Sequence, residues 1–144
     1  MQIRRVILLA AAGFIAVSAH AEDGHRAAIE AAVFDYFHGQ GEASAARLNR
    51  AFVAEHATMV GVSRDDQGNE SVVAWKDMTE VLDNWAANDD PPGGDRDGEI
   101  LALEMVDDRL AVVLFRSTDM FFDALTLAYV DGQWKIIQKA FVRQ

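Results

Sequence analysis

Residues 121–141 read FFDALTLAYVDGQWKIIQKAF, and the pair Asp131-Gly132 sits between two alternating runs. An aspartate–glycine pair in that setting is the strongest short signal for a two-residue β-hairpin turn. With such a turn Val130 faces Gln133, and the pairing is expected to run back until Asp123 stands opposite Ala140. One face then carries Asp123, Leu125, Leu127 and Tyr129 beside Trp134, Ile136, Gln138 and Ala140. The other carries Phe122, Ala124, Thr126, Ala128 and Val130 beside Gln133, Lys135, Ile137, Lys139 and Phe141. The first is the core-like face, and on it Asp123 is the anomaly: a carboxylate where its neighbours are apolar. Gln138 is its expected diagonal neighbour.

Upstream of the hairpin, EILALEMV (99–106) and LAVVLFRST (110–118) read as two more strands joined at Asp107-Asp108. Before them the period changes. Ala27–His38 places Ile29, Val33, Phe34 and Phe37 on one helical stripe, and Gly39 and Gly41 end it. Ser44 can cap a second, shorter helix that carries Leu48 and Phe52. ATMVGV (57–62) reads as a short strand and RDDQGNES (64–71) as a turn-rich loop. Lys76–Ala87 forms a third helix with Met78, Val81, Leu82 and Trp85 at helical spacing, and NDDPPGGDRDG (88–98) breaks it. Helices first and a meander afterwards predict an α+β domain, three N-terminal helices packed on one face of a curved antiparallel sheet.

The first 21 residues read differently from the rest. Arg4 and Arg5 precede an apolar run from Val6 to Val17, and Ala19-His20-Ala21 has the small-x-small form of a processing site. The run is too short to cross roughly 30 Å of hydrocarbon as a helix. Met1–Ala21 is therefore expected to be a cleaved export signal, which sends residues 22–144 to the periplasm or the medium with no membrane attachment. There is no cysteine, which excludes a lipid anchor at the processing site, structural disulfides and thiolate chemistry. The formal net charge of −10, without a basic stripe, argues against a nucleic-acid partner.

The order of helix, short helix, strand, helix and meander resembles the nuclear transport factor 2-like (cystatin-like) cone. Within that superfamily, Asp123 followed by ALTL, the hairpin DGQWKI and the closing Lys139-Ala140-Phe141 resemble the branch known as "putative lumazine-binding". The resemblance implies a cone whose third helix covers its mouth and whose ligand is a small, partly apolar molecule, with no cofactor and no metal. Phe34, Tyr36, Trp85, Asp123 and Gln138 are the candidate pocket residues. A homodimer through the outer sheet face, which would carry Phe122, Thr126, Ile137 and Phe141, is also expected.

Two readings of Asp123 stay open. It can present a polar group to a ligand, or it can be structural, bonded to Gln138 or to backbone at a bulge. Ketosteroid isomerases share the cone, and by resemblance Tyr36 and Asp123 fall where that branch places its two oxyanion donors. That branch also has a carboxylate base soon after the first strand begins, but here Ala57-Thr58 is followed by Met59, Val60, Gly61 and Val62. The alternative function is thus a cofactor-independent isomerase, cyclase or dehydratase that uses Asp123 with Tyr36 or His56.

Overall fold

The computed structural model describes residues 12–93, 96–118 and 120–144. The N-terminal helix α1 spans Ala12–Gly41 and the short α2 spans Ala45–Ala51, with Ser44 as its N-cap. A hairpin follows, β1 (Thr58–Arg64) and β2 (Glu70–Trp75), then α3 (Thr79–Ala86). The meander is β3 (Gly98–Asp107), β4 (Leu110–Ser117), β5 (Phe121–Val130) and β6 (Gln133–Arg143). Part of the expected export signal, residues 1–11, lies outside the described residues, and α1 runs across the expected processing site at Ala21.

The strands form one sheet in the order β2-β1-β6-β5-β4-β3. Every neighbouring pair is antiparallel except β1 with β6, which run parallel, so the sheet is mixed rather than purely antiparallel. The segment read as loop and unassigned chain contains a strand: Asp65 gathers the backbone N–H groups of Gln67 and Asn69 into a tight turn, and β2 departs from it. α1, α2 and α3 lie on the concave face. Ile29, Val33, Tyr36 and Phe37 of α1, Leu48 of α2 and Leu82 of α3 meet Val113, Phe115, Leu125, Leu127 and Ile136 of the sheet in one core. Asp35 receives both Arg47 and Arg50, at 3.2 and 2.9 Å, which ties α2 to α1. The Arg50 hydrogen bond is the chief reason that the Asp35 carboxyl titrates below its usual range.

The hairpin turn has the expected form, with Asp131 at φ 50° and Gly132 at φ 78°, both in the left-handed region of a type I′ turn. From Val130↔Gln133 to Leu127↔Ile136 the pairing matches the expected register. Beyond that it does not. A bulge at Ile137 shifts the ladder by one residue, so Asp123 pairs with Phe141, not Ala140, and Leu125 pairs with Lys139. A one-residue shift exchanges the two faces of a strand. Lys139 and Phe141, expected outside, therefore point into the cone, and Gln138, expected inside, is exposed.

Gly132→Ala places a side chain at a positive φ and should cost about 1 kcal/mol or more of unfolding free energy. Urea denaturation followed by circular dichroism checks this, with an unchanged m-value expected if the folded state keeps its register.

Candidate functional site

On the helix-covered face of the sheet three polar side chains from three elements meet. α1 brings Tyr36, β5 brings Asp123 and, by way of the bulge, β6 brings Lys139. All three are almost fully buried, at 2%, 2% and 3% relative exposure. Tyr36 Oη donates to Asp123 Oδ2 at 2.8 Å, and Lys139 Nζ forms a salt bridge with Asp123 Oδ1. The ammonium is also boxed by rings, 5.1 Å from the centroid of Tyr36, 4.7 Å from that of Phe141 and 5.9 Å from that of Phe121. Those π faces favour a cation that has been taken out of water.

Burial sets the electrostatics. Desolvation pushes the Tyr36 phenol well above its ordinary value, and the neighbouring Asp123 charge pushes it further. Desolvation lowers Lys139, against the pull of Asp123, which favours the ammonium. Each oxygen of Asp123 faces a donor. The carboxylate is thus matched on both oxygens from within the protein.

Of the residues expected to line a pocket, Tyr36, Trp85 and Asp123 do come together. Trp85 of α3 lies against Tyr36 and Phe52, with ring centroids 6.0 and 6.4 Å apart. Phe34 packs elsewhere, edge-on to Phe115 at 5.9 Å and stacked on His38. Gln138 is on the far side of the sheet, opposite Thr126. His56, the other suggested partner of Asp123, is exposed in the turn after α2. Lys139 was missed, although the spacing Lys139-x-Phe141 keeps those two residues on one face of a strand and Asp123 needed a cation.

Beside this cluster the concave sheet is open. A groove of about 840 Å³ runs along β1, β2, β5 and β6, and its walls include Trp75, Phe121 and Phe141, with Ser63, Arg64, Glu70 and Arg143 around them. Trp75 and Phe141 face each other at an interplanar angle of 27° and 6.3 Å between centroids, and Phe121 meets Phe141 edge-on at 5.4 Å. Gly61 makes room for this: a Cβ there would lie 2.6 Å from Phe141 Cζ. Phe141 and Phe121 also border Lys139, so two of the rings that line the groove belong to the box around the buried ammonium. A smaller hollow of about 410 Å³ lies between α1 and the tip of the β5–β6 hairpin, where Trp134 Nε1 donates to His25 Nδ1 at 2.9 Å.

The family model described as "Putative lumazine-binding" matches residues 24–142. The chain belongs to that family. No curated protein matches it. Among solved structures it is similar to an NTF2-like protein of unknown function from Shewanella baltica OS155, with 19% identity, a TM-score of 0.65 and coverage of 84% of this chain and 94% of that one. It is also similar to one from Silicibacter pomeroyi DSS-3, with 21% identity, a TM-score of 0.61 and coverage of 85% and 98%. A ketosteroid isomerase-like protein from Erwinia carotovora atroseptica SCRI1043 is 16% identical, with a TM-score of 0.53 and coverage of 81% and 94%. At these identities the likeness establishes the nuclear transport factor 2-like cone and nothing about activity.

Lys139→Met alone strands a buried carboxylate and should cost about 3–5 kcal/mol, whereas adding Asp123→Leu to it should recover most of that loss. Denaturant midpoints of the two single variants and the double variant complete the cycle. The pH dependence separates Tyr36 from Lys139. Above about pH 10 the unfolded tyrosine loses a proton that the folded one keeps, so folding stability contributed by Tyr36 falls as pH rises. Lys139 works in the opposite sense: between its depressed folded value and about 10.4 the unfolded state holds more protons, so stability rises with pH. Tyr36→Phe should remove the alkaline decline, as read from unfolding free energies between pH 8 and pH 11.

Proposed function

We propose that this protein is an exported binding protein that takes up a small, partly apolar molecule in the concave groove. The observation that carries this reading is the groove itself, about 840 Å³ of open concave surface with Trp75, Phe121 and Phe141 in its walls. That is the size and character of a small-molecule site, largely apolar with a few polar groups at its rim. The membership in the family described as "Putative lumazine-binding" points the same way. Export rests on the leader-like Met1–Ala21, and no described helix is long and apolar enough to cross a membrane.

The acid–base enzyme is the weaker reading. It would need Asp123 or Tyr36 to turn towards a substrate, and the two are bonded to each other, with Lys139 on the second carboxylate oxygen. Freeing either would leave a buried charge or donor unpaired, at a cost of a few kcal/mol.

The outer sheet face supports a homodimer as part of the same proposal. Phe122, Val142, Leu114 and Val112 are 40–47% exposed there, and Leu101 is 46% exposed. Several of these residues surround a shallow hollow of about 310 Å³. Phe141, once counted on this face, belongs to the groove instead, while Phe122 and Thr126 remain outside. A contiguous apolar patch of this kind on a protein that is otherwise so acidic is the surface that self-association would cover.

Native mass spectrometry of protein recovered from the exported fraction should show a chain beginning at Glu22 with a small molecule bound, and Trp75→Ala should lose that mass while remaining folded. An empty groove in wild-type protein would overturn the binding reading. Sedimentation velocity at micromolar concentration should give a dimer, and Phe122→Glu a monomer.

A further inference from the structure

We infer that the groove selects a flat, ring-bearing anion, an organic carboxylate in chemical class, and that Arg143 is the residue that reads its charge. The inference rests on the groove's being the binding site, and it goes further in naming what that site prefers.

Three observations combine. First, the apolar walls are rings set as two kinds of surface: Trp75 and Phe141 face each other at 27°, and Phe121 stands at 87° to Phe141. A planar ring system can stack on one of these surfaces while touching the edge of another, which a branched aliphatic chain cannot do equally well. Second, the charges along the groove do not cancel. Among the described side chains that line it, Glu70 is the one acid, and Arg64 from the facing strand holds it in a salt bridge. Arg143 has no carboxylate partner among the described residues, and its guanidinium rests 5.6 Å from the Phe121 ring centroid. Lys139 is already matched by Asp123. One side-chain cation is therefore left without a side-chain acid beside the rings, in a chain whose formal net charge is −10.

Third, the surplus cation is placed to act as a pair with the rings. Arg143 pairs with Phe121 across the ladder, so the guanidinium and the phenyl share one face of the sheet at the open end of the groove. A ligand stacked against Phe141 or Trp75 would carry a carboxylate towards a planar donor that can take it with two parallel N–H bonds. The acidic remainder of the surface disfavours anions, so an anion that does bind must be recognised locally, and a ligand with a positive charge gains nothing from Arg143.

Isothermal titration calorimetry with two probes of nearly equal shape tests this: 2-naphthoate and the neutral 2-naphthalenemethanol. Wild-type protein at low salt should bind 2-naphthoate about tenfold tighter, the size of one charge-assisted hydrogen bond. Added salt should narrow the gap. Arg143→Gln should bring 2-naphthoate down to the affinity of the alcohol and leave the alcohol within about twofold. Lys135→Gln, which removes an equal charge outside the groove, should keep the preference. Equal binding of the two probes to wild-type protein, or a preference lost equally in both variants, would overturn the inference and leave the groove as a site of another selectivity. Failure of both probes to bind would remove the groove reading and this inference with it.

Discussion

Without the bulge at Ile137, β6 would keep the alternation with which it leaves the Asp131-Gly132 turn, and Lys139 would stand outside while Asp123 was buried alone among rings. An isolated ionised carboxylate in that setting is costly enough to oppose folding. The extra residue turns Lys139 and Phe141 inward together, which gives Asp123 its cation and gives that cation its aromatic box. Tyr36 then takes the second carboxylate oxygen and ties the C-terminal part of α1 to the sheet. Helix position, strand register and the burial of charge are thus settled by one local irregularity. Whatever the pair adds to stability in net terms, it discriminates between registers, because the slipped pairing would separate the two charges.

The same arrangement decides where chemistry can take place. A carboxylate and a phenol in the depth of a cone suggest an acid–base site, but here each is committed to the other. The polar centre is held together by its own hydrogen bond and salt bridge. Two of the rings that shield Lys139 also line the groove. Gly61 is part of this division of labour, since any side chain on β1 at that point would meet Phe141 and displace it from both roles.

Much of this was legible in the residues. Asp131-Gly132 placed the turn, and the helical stripe of Ile29, Val33 and Phe37 placed α1 on the sheet. Asp123 stood out because period-two alternation leaves no excuse for a buried acid. The bulge was not legible, because the run IIQKAF continues an acceptable alternation and nothing local marks Ile137 as the extra residue. What resolves it is a tertiary demand, the need of Asp123 for Lys139. β2 was hidden for a related reason: Val72, Val73 and Ala74 follow a polar turn and are largely exposed, so no buried face announces the strand. Trp75 was therefore not kept among the candidate pocket residues, and Gln138 was given a place that belongs to Lys139.

The parallel seam between β1 and β6 has a kinetic meaning. β3, β4 and β5 pair only with neighbours in the chain, joined by short connections, whereas β1 must find β6 across most of the domain, with β2, α3 and the first three strands of the meander between them. Closing so long a loop is the entropically expensive step in assembling a sheet and is the slow part of forming such topologies. The groove straddles this seam, with Gly61 and Trp75 on one side and Phe121 and Phe141 on the other. A molecule held there would act as a clamp on that long-range junction, slowing the separation of the β1–β2 hairpin from the meander and raising the protein's resistance to unfolding and proteolysis.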